Sequence, residues 1–122
     1  MKILLIDDDA PLRRSLQRGL QARGHAVETA GSVDEARKRL AHELPEVIIS
    51  DEELGWERGS EFLASLAHRL PNTHLALLTG NTTYQLPASL AAAGVVLLRK
   101  PCSVQEMLAA VLPAPQPLST SS

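Results

Sequence analysis

Aromatic side chains and cysteine are scarce in this sequence. Phenylalanine, tyrosine and tryptophan occur once each among 122 residues, and Cys102 is the single cysteine. One cysteine can form neither a disulfide framework nor a thiolate metal site within the chain. So few aromatic residues cannot build the stacking platform on which proteins bind single-stranded nucleic acid. These absences exclude a disulfide-stabilised domain and argue against nucleic-acid binding.

The chain also lacks a strong charge bias and a long hydrophobic run. Its formal net charge is −2, so we expect no basic surface for DNA or RNA. No apolar run approaches the roughly 20 residues that span a bilayer. The first residues, MKILLIDDD, carry acids where a signal peptide would carry small residues, and we interpret them as a strand. We therefore expect a cytoplasmic domain that does not bind membranes.

Short apolar runs alternate with helix-like segments along the chain. The runs have the length of strands, and apolar residues in the intervening segments recur at helical spacing. This alternation predicts five βα units and a parallel sheet covered on both faces. The predicted strands cover residues 3–6, 27–30, 47–50, 75–79 and 95–99.

Helix signals and breakers divide the rest of the sequence. Residues 52–58 are predicted to form a polar loop, and Pro87 limits the fourth helix to a short segment. Gly19 lies inside the first predicted helix, where it is unfavourable unless close packing on the sheet requires it. We assign residues 1–112 to one domain and residues 113–122, PAPQPLSTSS, to a linker or disordered tail. The other helix starts are predicted at Pro11, Ser32, Gly59 and Ser103.

Polar side chains follow the predicted strands at the points where the strands end. Asp7 and Asp8 follow the first strand and Asp51 follows the third, while Thr79 closes the fourth and Lys100 follows the fifth. Carboxyl ends of parallel strands meet at one edge of the sheet, where open α/β folds bind ligands. Crowded carboxylates repel unless a cation neutralises them. Oxygen ligands favour Mg²⁺, with Mn²⁺ as the alternative.

This set of side chains suits phosphoryl transfer. A carboxylate such as Asp51 can attack a phosphoryl group, and a metal ion can neutralise the incoming oxygens. A lysine and a hydroxyl can bind the remaining oxygens. The combination is far more specific than any one of its residues.

The motifs IDDDAPLR, PEVIISD, LLTG and RKP resemble the receiver domain of bacterial response regulators over residues 2–112, including receivers attached to hybrid sensor kinases. The resemblance implies a flavodoxin-like, three-layer (βα)5 fold with a doubly wound parallel sheet in the order 2-1-3-4-5. It also implies a two-component signalling module that is phosphorylated by a histidine kinase or phosphotransfer protein and then alters the binding of an output partner. Such a module modifies itself, is a monomer or weak dimer, and is not an enzyme with turnover.

The resemblance also implies a role for each strand-end residue. Asp51 corresponds to the phosphoacceptor, Thr79 to the hydroxyl that meets the phosphoryl group, and Lys100 to the lysine that pairs with it. The implied metal ligands are Asp8, Asp7, Asp51 and the backbone carbonyl of Glu53.

Two departures from the family pattern affect these expectations. Glu52 and Gly55 replace an apolar residue and a proline, so we expect a more mobile loop. We interpret Glu52 as a solvated loop charge and not as a ligand. Leu97 stands where many receivers carry an aromatic switch residue. Phosphorylation is therefore predicted to cause little dimerisation and to act through the 52–58 loop and the loop before the fourth helix.

Two alternatives remain open at this stage. A phosphatase of the haloacid-dehalogenase type would use Asp7 as nucleophile and Asp9 as acid and base. Pro11 stands where that family has a threonine or valine, and Glu106 is the only acid after Lys100. We expect Asp9 to start the first helix and not to bind metal, because a negative charge there interacts favourably with the helix dipole. A degenerate receiver that binds partners without phosphorylation is the second alternative.

Overall fold

A five-stranded parallel sheet forms the centre of the fold. The computed structural model describes residues 1–112. The strands of the chain are β1 (Lys2–Ile6), β2 (Ala26–Ala30), β3 (Val47–Asp51), β4 (Glu53–Leu54), β5 (Glu57–Arg58), β6 (His74–Thr79) and β7 (Val96–Arg99). The sheet has the order β2-β1-β3-β6-β7, and β4 and β5 pair separately. The predicted order 2-1-3-4-5 is confirmed, with β6 and β7 as the predicted fourth and fifth strands.

Helices cover both faces of this sheet. They are α1 (Ala10–Gln21), α2 (Val33–His42), α3 (Gly59–Ala67), α4 (Ala88–Ala92) and α5 (Val104–Val111). The helices α1 and α5 pack on one face, and α2, α3 and α4 pack on the other. The predicted three-layer architecture is thus confirmed. No helix among residues 1–112 is long and apolar enough to cross a membrane.

Alternating side chains of the inner strands build the two halves of the core. Ile3 and Leu5 of β1 face α1 and α5, whereas Leu4 and Ile6 face the opposite layer. Every residue of β3 is buried. Each buried Leu or Ile contributes about 1.5–3 kcal/mol relative to an exposed one, so the core fixes the strand register and thereby the sheet edge.

The starts of α1 and α5 agree with the predicted helix starts and carry side-chain caps. Asp9 is the N-cap of α1 and accepts a hydrogen bond from the Leu12 N–H (3.1 Å). Ser103 and Glu106 form a reciprocal capping box at α5. A Cβ at Gly19 would lie 2.7 Å from Cγ2 of Val104. The close packing that requires this glycine is therefore with the start of α5 and not with the sheet.

The prediction of a polar loop over residues 52–58 is wrong. Glu53 pairs with Arg58 and Leu54 with Glu57 in an antiparallel hairpin. Gly55 turns the chain with φ +74°, a conformation that side chains other than glycine rarely adopt. Strands of two residues are too short for a detectable apolar alternation, which is why the sequence did not reveal them. The predicted tail, 113–122, lies outside the described residues.

Candidate functional site

Three aspartates meet at the carboxyl edge of the sheet. Asp7 and Asp8 follow β1, Asp51 ends the neighbouring β3, and carboxylate oxygens of the three lie within 4.8 Å of one another. Asp7 is 0% exposed and Asp51 is 6% exposed, while Asp8 is open to solvent. The structure thus brings these predicted residues together. Their roles as phosphoacceptor and metal ligands stay predictions.

Lys100 extends from the end of β7 toward the buried carboxylates. Its Nζ lies 3.3 Å from Oδ1 of Asp51 and 3.7 Å from Oδ2 of Asp7. Its backbone N–H donates to the carbonyl of Thr79 (2.8 Å), which holds β6 and β7 in register at this edge. A single ammonium group lies beside two buried carboxylates. Its one positive charge cannot neutralise both of them.

Thr79 ends β6 beside the same cluster. Thr79 is 1% exposed, and its Oγ1 accepts a hydrogen bond from the Asn81 N–H (3.0 Å). The strand β6 pairs with β3 such that Asp51 is opposite Leu78. The hydroxyl therefore lies at the strand edge that carries Asp51, and its assignment to the phosphoryl group stays a prediction.

Burial makes the two inner carboxylates harder to ionise. The pKa of Asp51 is raised to about 6, chiefly by burial and further by the charge of Asp7, although Lys100 partly offsets both effects. Burial also raises the pKa of Asp7, despite the hydrogen bond that its Oδ1 accepts from the Asp9 N–H (2.9 Å). Two ionised carboxylates at this edge call for additional positive charge.

The donor set fits a hard divalent cation. Among residues 1–112, Oδ2 of Asp7 is a buried side-chain oxygen without a hydrogen-bond partner. A buried carboxylate oxygen normally has a hydrogen-bond partner or ligates a metal ion. Carboxylate and carbonyl oxygens suit Mg²⁺ or Mn²⁺. Glu53 begins β4 two residues after Asp51, and the contribution of its carbonyl stays a prediction.

The interpretation of Glu52 as a solvated charge is wrong. Glu52 is 4% exposed, and its carboxylate accepts hydrogen bonds from the backbone N–H and the hydroxyl of Ser60. The guanidinium of Arg58 lies 3.8 Å from Oε2. A charged residue in an apparently polar stretch gives no sign of burial, because its partner is eight residues away across an unpredicted hairpin.

A cleft of about 320 Å³ lies between the hairpin and the segment after β6. Thr79, Glu52, Tyr84 and Trp56 contribute to its lining, and Trp56 is 100% exposed at the hairpin turn. A cavity of about 330 Å³ also lies at the amino ends of β1 and β2, next to α2. That cavity is at the wrong end of the strands for chemistry at Asp51.

Fold and site together define an α/β domain whose acidic pocket fits a divalent cation. The family model of the response regulator receiver domain matches residues 3–112. The chain therefore belongs to the receiver domain family of two-component systems. This membership decides against the haloacid-dehalogenase alternative.

Curated proteins of similar sequence include bacterial regulatory proteins. The chain is 31% identical to the acid tolerance regulatory protein ActR of Sinorhizobium medicae over 114 residues, covering 93% of this chain and 59% of ActR. It is 30% identical to the response regulator MprA of Mycobacterium leprae over 112 residues, covering 91% of this chain and 49% of MprA. The chain thus spans about half to three fifths of these relatives.

Solved structures of receiver proteins superpose closely on this fold. A response regulator from Burkholderia pseudomallei, solved with a phosphorylated aspartic acid, a calcium ion and citrate, is 34% identical with a TM-score of 0.82; the match covers 90% of this chain and 65% of that one. The response regulator TrrA of Thermotoga maritima, in complex with Mg²⁺ and BeF, is 27% identical with a TM-score of 0.71. The match covers 80% of this chain and 84% of TrrA.

Proposed function

We propose that this chain receives a phosphoryl group on Asp51 from a histidine kinase or a histidine phosphotransfer protein. The observation that carries the proposal is the surroundings of Asp51. Its carboxylate shares the sheet edge with those of Asp7 and Asp8, and the Lys100 ammonium is 3.3 Å from Oδ1. The phosphorylated aspartic acid in the Burkholderia relative supports the same chemistry.

In the proposed reaction, a carboxylate oxygen of Asp51 attacks the phosphorus of a phosphohistidine. The phosphorus–oxygen bond forms as the phosphorus–nitrogen bond breaks, and the imidazole leaves with the electron pair of that bond. With a pKa of about 6, Asp51 is mostly ionised at neutral pH, as a nucleophile must be. The ammonium of Lys100 and the hydroxyl of Thr79 would bind the oxygens of the transferred group.

The acidic side chains would hold the metal ion that this chemistry needs. Asp7, Asp8 and Asp51, with the carbonyl of Glu53, would bind Mg²⁺ or Mn²⁺, which supplies positive charge against the phosphoryl oxygens. Without that charge, the attack would bring a negative phosphoryl group to an already negative pocket. Phosphorylation should therefore require the metal.

The product of this reaction is a modified protein and not a released substrate. We propose that the phosphorylated chain gains or loses an output partner, as a signalling module in the cytoplasm, and that it is a monomer or weak dimer. Relatives such as MprA are about twice as long, which agrees with an output function carried by a further region of a longer protein.

Intact-mass measurement after incubation with acetyl phosphate and Mg²⁺ tests the assignment. We expect one phosphoryl adduct on the wild type, none on Asp51→Asn, and none on the wild type in EDTA. Asp34→Asn is the matched control, because Asp34 is an exposed aspartate on α2, and it should be labelled like the wild type. Labelling of Asp51→Asn would refute the assignment. An unlabelled wild type would favour the degenerate receiver.

A further inference from the structure

The residue directly after Asp51 is a glutamate with an enclosed side chain. Oε1 of Glu52 accepts a hydrogen bond from the Ser60 N–H at 2.8 Å, and Oε2 accepts one from the Ser60 hydroxyl at 3.0 Å. Only 4% of the residue is exposed. A buried carboxylate is unfavourable unless its oxygens are hydrogen-bonded, so these bonds are what keep it in place.

These contacts give Glu52 the role of a helix cap. The N-cap residue of α3, Arg58, makes no side-chain capping bond. Ser60 is the second residue of α3, and its N–H is one of those that the helix itself leaves without an acceptor. A carboxylate at that position also interacts favourably with the helix dipole. Glu52 therefore caps α3 from eight residues earlier in the chain.

The backbone around Glu52 is held by the same neighbours. Its N–H donates to the Leu78 carbonyl of β6 (2.8 Å), and its carbonyl accepts from the Gly59 N–H (2.9 Å). The carbonyl of Asp51 accepts from the Ser50 hydroxyl (2.9 Å). The hairpin of β4 and β5 leaves the sheet between Glu52 and Gly59, so the Glu52–Ser60 contact closes its base.

From this geometry we infer that Glu52 is a positioning residue for the phosphorylation of Asp51. Its bonds to Ser60 fix the chain that leaves Asp51, including Glu53, whose carbonyl is a proposed metal ligand. The inference rests on the proposed function of Asp51. Loosening the base of the hairpin would misplace a ligand without removing any group that touches the metal or the phosphoryl group.

Two substitutions separate the hydrogen bonds of Glu52 from its charge. Glu52→Ala removes the two hydrogen bonds and the negative charge. Glu52→Gln removes the charge but can rebuild both bonds, because its carbonyl oxygen can accept from the Ser60 N–H and its amide can donate to the Ser60 oxygen. The weak pair with the largely exposed Arg58 is also lost in Glu52→Gln, and such pairs contribute little. Glu57→Ala is the control, since Glu57 is an exposed glutamate of the same hairpin.

The first measurement is amide hydrogen exchange in metal-free protein with EDTA. The Ser60 amide should exchange faster in Glu52→Ala than in the wild type, and at the wild-type rate in Glu52→Gln and Glu57→Ala. This readout needs neither metal nor phosphorylation. Unchanged Ser60 exchange in Glu52→Ala would overturn the capping role, and with it the inference.

The second measurement is the Mg²⁺ dependence of Asp51 labelling by acetyl phosphate. In Glu52→Ala we expect the half-saturating Mg²⁺ concentration to rise about tenfold, the lower end of the range for residues that orient metal ligands. Glu52→Gln should stay within about twofold of the wild type, because its amide group can rebuild both hydrogen bonds to Ser60.

The outcomes distinguish the inference from the proposed function. Glu52→Gln behaving like Glu52→Ala would show that the charge acts and not the bonds, which overturns the inference. A wild-type Mg²⁺ response in Glu52→Ala would overturn it as well. If the wild type takes no label on Asp51, the proposed function fails and the positioning role with it, while the exchange data still report whether Glu52 caps α3.

Discussion

Asp51 and Asp7 are buried side by side at one strand edge, and this affects folding as well as chemistry. A carboxyl group whose pKa is higher in the folded than in the unfolded chain binds its proton more tightly when folded. Folding is then favoured at low pH and loses that advantage as the pH rises through the folded pKa. The acidic pocket should therefore make the metal-free protein less stable at neutral pH.

Replacing Asp51 with asparagine should expose this effect. The pKa of Asp51 is raised from its usual 3.8 to about 6, so the wild type should lose stability between about pH 4 and pH 6 relative to Asp51→Asn. The relative gain of the variant above pH 6 should be about 2–3 kcal/mol. Urea unfolding in EDTA at pH 4 and pH 7.5 measures it. An equal offset at both pH values would mean that ionisation of Asp51 is not the cause.

Sequence alone predicted the strand-end residues but not every residue that holds them. Asp7, Asp51 and Lys100 were predictable because each directly follows a recognisable strand, and parallel strands bring their carboxyl ends together. Glu52 was not, because its burial depends on a contact with Ser60 that only the folded hairpin creates. Residues adjacent to a strand end can be placed from the sequence, whereas contacts across a short unpredicted element cannot.

At the scale of elements, the junction between β3 and α3 is the tightest part of the site. The helix begins at Gly59, where an added Cβ would lie 2.0 Å from the Asp51 carbonyl oxygen and 2.7 Å from the Ser50 hydroxyl oxygen. The nearer atom belongs to the backbone, which cannot rotate away. The element that carries the proposed phosphoacceptor is thus packed directly against the start of the helix that Glu52 caps.

Gly59→Ala should therefore destabilise the protein by about 3 kcal/mol, the upper end of the usual cost of overpacking. Gly80→Ala is the matched control at the same sheet edge, because its Cβ would meet only Cδ of Lys100 at an ordinary 3.8 Å. Urea unfolding of both variants at one pH measures the difference. A similar loss of stability in the two variants would show that the backbone at Gly59 moves aside.

The five helices could be predicted because their signals are long or carry caps, as with Ser103 and Glu106 at α5. The sheet order was implied only by the resemblance to receiver domains, because helix and strand signals do not fix the order of parallel strands. The structure extends β1, β2 and β6 by one residue at the amino end, extends β3 by one residue at the carboxyl end, and shortens β7 by one residue at the amino end. The first and last residues of a strand are decided by hydrogen bonding to the neighbouring strand, and the spacing of apolar residues in the sequence does not show where that pairing starts or stops. The hairpin of β4 and β5 was missed because each strand has two residues and three of the four are charged.

At the scale of the whole molecule, the face formed by α4, β7 and α5 lacks the aromatic side chain that many receivers carry there. Leu97 is half-buried and packs against the core on the α2, α3 and α4 side. The helix α4 has only five residues. A ligand or modification shifts a conformational equilibrium only through contacts that differ between two states. An aliphatic Leu97 offers no polar tip to exchange one environment for another.

Phosphorylation should therefore cause little dimerisation through this face. Light scattering with Mg²⁺ and beryllofluoride, a mimic of the phosphoryl group, should give the same mass as the untreated protein. Conversion of the monomer to a dimer, and its reversal by Ala109→Glu on the exposed side of α5, would contradict the prediction. That result would show that the face signals without an aromatic switch.

Gly19 of α1 and Val104 of α5 pack so closely that side chains at these two positions would compete for the same space. With 2.7 Å between a Cβ at position 19 and Cγ2 of Val104, a larger residue at one position requires a smaller one at the other. The two positions, 85 residues apart in the numbering, are therefore expected to be replaced as a pair when this helix crossing is kept. A mutational path that enlarges position 19 before position 104 becomes smaller must pass through a strained intermediate protein.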